Sequence, residues 1–265
     1  MKYDYTQQKE KVIMREKLIS LALDAGAMMM DNRGVSVAEK SSARDLVTTR
    51  DTEIQNMMVD ACRRLALGCS FICEENHLQT GAIAKEPCFI IDPIDGTANY
   101  VHGLNHSCTS IAYLEDGQVQ SGVIYDPFKN EMFSAELGKG AFLNGSPLTI
   151  ADTSLADGIT CFGTAPYDDS STKETFQMAN LLYDNSLDVR RSGSAALDCC
   201  YVACNRFSLY FEMQISPWDH AAGSFIVKEA GGVAVDIKGK PLQLSAPTSI
   251  LCGAPTAVED FLNLK

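Results

Sequence analysis

The sequence contains no apolar run that approaches the roughly 18 uninterrupted residues of a membrane span. It is also poor in basic residues, since 22 Lys and Arg stand against 34 Asp and Glu and leave a formal charge of −12. Nonspecific binding to nucleic acids or to anionic membranes needs a basic surface, so neither is expected as a partner. The acidic excess fits either a solvated acidic surface or a concentrated cation site.

The start of the chain lacks the apolar stretch and the small-residue cleavage site of a secretory signal. The ten cysteines therefore do not indicate a disulfide framework, which is typical of short secreted chains. We expect a cytoplasmic protein with free, mostly buried thiols. Cys73 is interpreted as one of these buried thiols, with a redox switch as the open alternative.

Apolar periodicity predicts two helices early in the chain. In 12–31 the polar residues fall near one line, and in 54–65 the apolar residues recur at i, i+3, i+4, i+7, i+8 and i+11. Short apolar runs predict buried strands over 70–73 and 88–91, each followed by carboxylates. A hairpin with its turn at 115–117 then opens an antiparallel meander.

The pattern changes near residue 150, after which strands alternate with helices. No linker rich in Pro and Ser and no internal repeat divides the chain. We therefore predict an α/β (α+β) fold with one domain over residues 1–265. Within it, we expect a sub-domain of helices and mainly antiparallel sheet over 1–150 and a sub-domain of alternating strands and helices over 151–265.

The most informative segment is Asp92-Pro93-Ile94-Asp95-Gly96-Thr97, which follows an apolar strand. A tight Pro/Gly turn could present both carboxylates and the Ile94 carbonyl to one hard cation. The backbone N–H groups of Gly96 and Thr97 would then open a helix and form an anion site. The alternative is that these acidic turn residues only cap a helix. The spacing of an EF-hand calcium loop is absent.

Other acidic residues also lie at element boundaries. Glu74-Glu75 ends the preceding strand, Asp51 stands at the start of the second helix, and Asp219 follows Trp218 where a later helix opens. A backbone anchored in the core aims such side chains accurately. These coincidences favour one shared site over a set of solvated faces.

The acidic residues lie in four longer segments, and a fifth, Lys40-Ser41-Ser42, precedes them: Asp45-Leu46-Val47-Thr48-Thr49-Arg50-Asp51, Glu74-Glu75, Asp92-Pro93-Ile94-Asp95-Gly96-Thr97-Ala98-Asn99 and Trp218-Asp219-His220-Ala221-Ala222-Gly223. In chain order they resemble the inositol monophosphatase family of magnesium-dependent, lithium-sensitive sugar and inositol phosphatases. The resemblance covers the chain from about residue 12 to the end. It implies a layered αβαβα sandwich of the sugar-phosphatase type, two to three Mg²⁺ ions per site and a homodimer.

The resemblance also assigns roles to individual residues. It implies that Thr97 and Asp51 form a hydroxyl–carboxylate pair near the attacking water, and that Gly96 and Thr97 cradle the phosphate. The implied metal ligands are Glu74, Asp92, the Ile94 carbonyl, Asp95 and Asp219. The implied substrate contacts are Asp95, Gly96, Thr97, Arg190, Ala195, Glu212 and Asp219.

These residues lead to an expected function, a Mg²⁺-dependent phosphomonoesterase that hydrolyses myo-inositol monophosphate or a similar small polyol phosphate with a metal-activated water. The four carboxylates that would hold metal carry −4, which two Mg²⁺ ions neutralise. Either Glu74 or Thr97 backed by Asp51 could act as the general base. Fructose 1,6-bisphosphate, histidinol phosphate, NADP and adenosine bisphosphate remain alternative substrates. A noncatalytic regulatory partner on the same scaffold is the alternative function.

Overall fold

Five layers are stacked in the order helix, sheet, helix, sheet, helix, which confirms the predicted αβαβα sandwich. The computed structural model describes residues 5–31, 33–40, 42–75, 79–80, 86–166 and 169–264, without the side chains of 5–13 and 79–80.

The first layer consists of the two predicted helices, α1 (Tyr5–Met30) and α2 (Thr49–Leu65). Ile54, Met58 and Cys62 recur every four residues along α2 and are fully buried, so one apolar face of this helix packs on the larger sheet. The helix begins at a capping box, in which the Thr48 hydroxyl accepts from the Asp51 N–H and the Asp51 carboxylate accepts from the Thr48 N–H.

The second layer is an eight-stranded sheet, and a separate pair of strands lies near the start of the chain. The pair is β1 (Val37–Glu39) and β2 (Leu46–Thr48); the sheet contains β3 (Ser70–Cys73), β4 (Gln79–Thr80), β5 (Cys88–Asp95), β6 (Cys108–Glu115), β7 (Gln118–Asp126), β8 (Glu131–Glu136), β9 (Gly140–Leu143) and β10 (Ser146–Leu148). The sheet order is β10-β9-β8-β7-β6-β5-β3-β4, with β3 parallel to β5 and the other pairs antiparallel.

The meander from β6 to β9 agrees with the sequence prediction. Asp116 and Gly117 both have positive φ, 51° and 74°, as a two-residue hairpin turn requires. One strand boundary differs from the prediction: β5 does not end at Ile91 but continues through Asp95. The Asp-Pro-Ile-Asp segment is therefore strand, and the tight turn predicted for it is wrong.

The remaining layers come from the second half of the chain. Its elements are β11 (Ile159–Phe162), a 3₁₀ turn (Asp169–Ser171), α4 (Thr172–Asn185), β12 (Asp188–Arg190), α5 (Ala195–Ala203), β13 (Leu209–Ile215), α6 (Pro217–Glu229), β14 (Val233–Val235), β15 (Thr248–Gly253) and α7 (Pro255–Asn263). The short helix α3 (Thr97–Val101) belongs to the first half of the chain and lies between β5 and β6. The second sheet has the order β12-β11-β13-β15-β14. Helices α5 and α6 fill the space between the two sheets, and α4 and α7 cover the outer face.

The sequence signals do not anticipate β15 and α7. Only Ile250, Leu251 and Cys252 form an apolar run in β15, too short for a distinct strand pattern, although the strand lies between β13 and β14 and is buried there. The strands of the two large sheets fall on either side of residue 150. The division into two sub-domains stays a prediction.

Two further expectations concern thiols and membranes. All ten cysteines are free thiols, and eight of them, including Cys73, are buried. Within the described ranges no helix combines the length and the apolar character that a membrane crossing needs.

Candidate active site

A cavity opens where the carboxyl end of β5 meets the N-terminal ends of α5 and α6. Most of the charged residues that line it are acidic. The acids are Asp45, Glu74, Asp92, Asp95, Asp198, Glu212 and Asp219, and the two arginines are Arg44 and Arg191. We call Asp92, Asp95 and Asp219 the floor of the cavity, and Arg44 and Arg191, both exposed, its rim.

A β-bulge explains how two floor carboxylates meet. Residues three apart on a regular strand point to opposite faces. In the β5–β6 ladder Asp92 pairs with Ser110 and Asp95 with Cys108, so two residues of β5 oppose one of β6. The additional residue brings both carboxylates to the same side. Pro93, which has no N–H to donate, lies within the bulge.

Asp95 is held by the start of α5. Its Oδ2 accepts hydrogen bonds from the Ser194 hydroxyl and, at 2.9 Å, from the Ala196 N–H. Ser194 is the N-cap of α5, and it also accepts from the Leu197 N–H. The carboxylate therefore has a fixed orientation at the positive end of a helix.

Asp219 is held in a similar way by the first turn of α6. Its Oδ2 accepts a hydrogen bond from the Ser216 N–H at 2.9 Å, as part of a capping box, and Pro217 occupies the first turn. One oxygen from each of Asp92, Asp95 and Asp219 lies within 4.8 Å of the others. The three carboxylates converge although they come from two distant parts of the chain.

The floor fits a hard divalent cation. Asp92 Oδ1 is buried and has no hydrogen-bond partner among the described residues. Burial, followed by repulsion from the neighbouring carboxylates, raises the pKa values of Asp92 and Asp219 well above the usual carboxyl range. An all-oxygen donor set of this kind suits Mg²⁺ better than a soft metal. Such an ion would satisfy the unpartnered oxygen and allow all three carboxylates to ionise.

Glu74 lines the same cavity but has a basic partner. Lys40 Nζ lies 2.8 Å from Glu74 Oε1 and 2.7 Å from Glu75 Oε1. Burial raises the pKa of Glu74 to about 7, even though Lys40 acts in the opposite direction. Gln55 fixes this end of β3, because its amide exchanges two hydrogen bonds with the backbone of Glu75, of 2.8 and 3.0 Å. Glu74 is not among the three converging floor carboxylates, but it is near enough to Asp92 to contribute to the raised pKa of Asp92.

Thr97 and Asp51 lie side by side, as the sequence predicts. The Thr97 hydroxyl is 3.3 Å from Asp51 Oδ1 and 3.0 Å from the Ile94 carbonyl oxygen. Asp51 Oδ2 accepts from both the N–H and the hydroxyl of Thr48, at 2.8 and 2.5 Å. Burial raises the pKa of Asp51 to about 6. The hydroxyl has one proton for two acceptors, and the Ile94 carbonyl is the nearer one.

Gly96 connects β5 to α3. It has a φ of 83°, and a Cβ there would lie 3.1 Å from the Gly193 and His106 carbonyl oxygens, so glycine is required. The helix expected at Thr97 forms but has only five residues. Gly96, Thr97 and Ala98 line the cavity together with the floor residues.

Glu212 and Ala195 lie elsewhere in the same cavity. Glu212 Oε2 accepts a hydrogen bond from the Tyr210 hydroxyl at 2.6 Å, and burial raises the pKa of Glu212 to about 7. Gly163 faces this carboxylate so closely that a Cβ would lie 1.9 Å from Glu212 Oε2. Glycine at 163 therefore makes the space that Glu212 occupies.

Two predicted site residues do not line the cavity: Asp51, which lies behind Thr97, and Arg190. Its exposed guanidinium pairs with Asp188 and donates to the Val189 carbonyl at 3.0 Å. The next residue, Arg191, lines the cavity instead and donates to the Thr164 hydroxyl at 3.0 Å. Neighbouring residues at the end of a strand point in different directions, so the choice between the two arginines depends on a register that the sequence does not reveal.

Sequence reasoning also missed several cavity residues. Ser194 had a usable signal, a serine directly before a helix, which is a preferred N-cap. Asp198 had none, because it lies within an apolar helix, yet it is buried, lines the cavity and has an unpartnered Oδ1 among the described residues. Burial raises the pKa of Asp198 to about 8.

The model of the inositol monophosphatase family matches residues 11–263 of this chain. The chain belongs to the inositol monophosphatase family. One relative, from Thermotoga maritima, is named fructose-1,6-bisphosphatase/inositol-1-monophosphatase; it is 38% identical over 225 residues, which are 84% of this chain and 84% of the relative. Another, from Pasteurella multocida, is named Nus factor SuhB and is 36% identical over 223 residues, 84% of this chain and 83% of the relative.

Solved structures of this family agree with the fold. The crystal structure of the extragenic suppressor protein SuhB from Bartonella henselae matches with a TM-score of 0.87 and 28% identity over 95% of this chain and 97% of that chain. The inositol monophosphatase family thus includes relatives named for a phosphatase activity and relatives named as Nus factors.

Proposed function

We propose that the protein is a Mg²⁺-dependent phosphomonoesterase that hydrolyses myo-inositol monophosphate or a similar small polyol phosphate. The observation that carries this proposal is the convergence of the three floor oxygens within 4.8 Å, with Asp92 Oδ1 buried and unpartnered among the described residues. Family membership supports the same reaction class.

The proposed ligands of two to three Mg²⁺ ions are Asp92, Asp95, Asp219, Glu74 and the Ile94 carbonyl. The Ile94 oxygen already accepts from Thr97, and a carbonyl has a second lone pair for a cation. Bound Mg²⁺ would supply Lewis-acid stabilisation of the phosphoryl group and lower the pKa of water at the site. For Glu74 to contribute, its carboxylate must exchange Lys40 for the cation.

Proton transfer is proposed to involve Asp51 with Thr97, or Glu74. The Thr97 O–H can turn from the Ile94 carbonyl to Asp51 Oδ1, 3.3 Å away, and its proton can then pass to Asp51 as the Thr97 oxygen takes a proton from water. Burial raises the pKa of Asp51 to about 6, near the working range of a base at neutral pH, whereas a cation bound to Glu74 would favour its ionised form.

Glu212 and Ala195 are proposed to contact the polyol. Tyr210 fixes one oxygen of Glu212, and the other oxygen can accept a hydrogen bond from a ring hydroxyl. The phosphate would lie against Gly96, Thr97, Asp95 and Asp219. Arg190, which pairs with Asp188 outside the cavity, is not needed for this arrangement.

A noncatalytic regulatory role is the second candidate function. It is favoured by relatives such as the Pasteurella multocida protein, which is named Nus factor SuhB. The presence of the whole floor cluster favours catalysis instead. The homodimer and the cytoplasmic location stay predictions.

Release of inorganic phosphate tests the proposal. Purified protein is offered myo-inositol 1-phosphate, fructose 1,6-bisphosphate, histidinol phosphate, NADP and adenosine 3′,5′-bisphosphate, with Mg²⁺ or with EDTA. We expect Mg²⁺-dependent release from a polyol phosphate, none with EDTA, and inhibition by Li⁺. A folded protein that releases no phosphate from any of these esters at saturating Mg²⁺ would favour the regulatory role.

A further inference from the structure

Two side chains next to the proposed proton-transfer pair meet at the end of helix α1. Arg50 directly precedes Asp51 on α2, and Tyr100 follows Thr97 by one turn on α3. Each member of the pair therefore has a neighbour on its own helix that reaches the same place. Neither Arg50 nor Tyr100 belongs to the proposed metal ligands or to the phosphate and polyol contacts.

The side chain of Arg50 is buried although it carries a charge. Only 9% of Arg50 is exposed, and its Nη2 donates to the Asp31 and Arg33 carbonyls at 2.7 and 3.3 Å. Its Nη1 pairs with Glu53 on the same helix at 2.8 Å. A buried charge is costly unless partners of this kind satisfy it. Because the planar guanidinium binds several acceptors in fixed directions, it orients the start of α2 relative to the chain just after α1.

Tyr100 bonds to the same helix end from α3. Its hydroxyl donates to the Met29 carbonyl at 2.9 Å, and the last carbonyls of a helix need such donors because they lack partners within the helix. Burial raises the pKa of Tyr100 and the charge of Arg50 acts in the opposite direction, so the two side chains are close together. Met29 is fully buried in an apolar cluster with Ile54 of α2 and Ile94 of β5. The end of α1 is therefore a fixed point to which α2 and α3 are both bonded.

We propose that Arg50 and the Tyr100 hydroxyl are positioning residues for the pair formed by Asp51 and Thr97. The two groups of the pair lie on different helices and are 3.3 Å apart, which is longer than most O–H···O hydrogen bonds, so a small displacement of either helix separates them. By bonding α2 and α3 to one anchored helix end, Arg50 and Tyr100 keep this distance short. The inference rests on the proposed function, in which it concerns the route of proton transfer through Thr97 and Asp51.

Steady-state phosphate release by Tyr100→Phe and Arg50→Met, at saturating Mg²⁺ and with the best ester of the panel, tests the inference. Tyr100→Phe removes only the hydroxyl and keeps the ring, so this variant should fold even if Arg50→Met does not. A misplacement of about 1 Å can reduce turnover by about 100-fold, so we expect kcat to fall about threefold in Tyr100→Phe and about tenfold in Arg50→Met, with KM within about twofold. Arg50→Lys should restore part of kcat, because an ammonium group can still donate to the Asp31 carbonyl.

Arg63→Met is the matched control, because it removes a guanidinium from the same helix α2 at an exposed pair with Asp60, and its kcat should stay within about twofold. Calorimetric titration of inorganic phosphate into each Mg²⁺-loaded variant counts the intact sites. A lower kcat with full stoichiometry and unchanged phosphate affinity supports positioning. A kcat that falls only in proportion to the number of sites in both Tyr100→Phe and Arg50→Met would overturn the inference. An unchanged kcat in both variants would overturn it as well and favour the route through Glu74.

Crystal structures of Tyr100→Phe and Arg50→Met separate this inference from the proposed function. We expect Thr97 Oγ1 and Asp51 Oδ1 to lie farther apart than 3.3 Å, by about 1 Å in Arg50→Met. Such a displacement supports the inferred control of this distance even if the unmodified protein hydrolyses none of the esters, a result that would contradict only the proposed reaction. An unchanged distance in both variants, with phosphate release by the unmodified protein, would overturn the positioning role and leave the reaction in place.

Discussion

The floor and the rim of the cavity are positioned by different means. Asp95 and Asp219 each accept a hydrogen bond from the backbone at the start of a helix, and Asp92 is fixed by the bulge in β5. In contrast, Arg44 and Arg191 are exposed and lie on segments between regular elements. The floor is therefore rigid, and the rim can change its contacts without disturbing the fold.

This difference indicates a division of labour between the two regions. Chemistry at a cation site depends on oxygen positions accurate to a fraction of an ångström, which main-chain hydrogen bonds can provide. Substrate preference depends on charge and shape at the mouth, where a single side chain can be exchanged at little cost in stability. We expect mutations on the floor to affect turnover and mutations near the rim to affect substrate choice.

The largest expected effect is that of Asp95→Asn. The amide oxygen of asparagine can keep the hydrogen bonds from Ser194 and Ala196, which places the NH₂ group where a ligand oxygen is needed. Loss of several kcal/mol of charge stabilisation lowers kcat by on the order of 10³-fold at saturating Mg²⁺. The measurement is phosphate release, with circular dichroism to show that the fold is intact.

Asp60→Asn provides the control for that change. Asp60 lies on α2 in an exposed pair with Arg63 and does not line the cavity. The same chemical change there should leave kcat within about twofold, because exposed ion pairs contribute little. Near-normal turnover in Asp95→Asn would contradict the assignment of the floor.

The next effect is that of Gly163→Ala, a substitution in the cavity lining outside both the floor and the rim. The new Cβ would lie 1.9 Å from Glu212 Oε2, while Tyr210 holds that carboxylate in place. We expect an overpacking cost of about 1–3 kcal/mol in the free energy of unfolding and a rise in KM for polyol phosphates. Urea denaturation measures the first quantity, and steady-state kinetics measure the second.

A double-mutant cycle shows whether Glu212 is the cause. In the Glu212→Ala background the carboxylate is absent, so Gly163→Ala should cost less than about 0.5 kcal/mol. An equal cost in both backgrounds would mean that the clash lies elsewhere.

The contrast between floor and rim also explains what could be predicted from the sequence. Asp92 and Asp95 could be predicted because they follow an apolar run, although β5 continues through both, and Asp219 because Pro217 marks the start of a helix. The bulge itself gives no local signal, so the segment was predicted as a turn. Arg190 was chosen over the adjacent Arg191 as the site residue because the sequence does not reveal the tertiary register that decides which of the two lines the cavity.

The smallest expected effect concerns Asp198. Burial raises the pKa of this side chain from the ordinary 3.8 to about 8. The folded protein therefore keeps a proton on Asp198 between these pH values, whereas the unfolded chain has lost it. Stability from this group is full below pH about 4 and is lost as the pH rises through about 8, by at most about 1.4 kcal/mol per pH unit. Glu74 and Glu212, with pKa values raised to about 7, act in the same direction.

Asp198→Asn isolates this contribution. The amide removes one titrating proton while its oxygen can still accept from Ser192 and Cys161, which donate to Asp198 in the folded protein. With EDTA present, urea denaturation at pH 6, 7 and 8 should give a free energy of unfolding that falls less steeply in the variant, by about 1 kcal/mol per pH unit. Mg²⁺ should flatten the curve of the unmodified protein by favouring ionised Glu74. It should leave most of the difference due to Asp198 in place, since burial is the largest cause of the raised pKa of Asp198 and repulsion from Asp95 a lesser one. Identical pH slopes in the two proteins would show that Asp198 is already ionised when folded. If Mg²⁺ removed the difference in slope between the two proteins, Asp198 would belong among the metal-linked carboxylates.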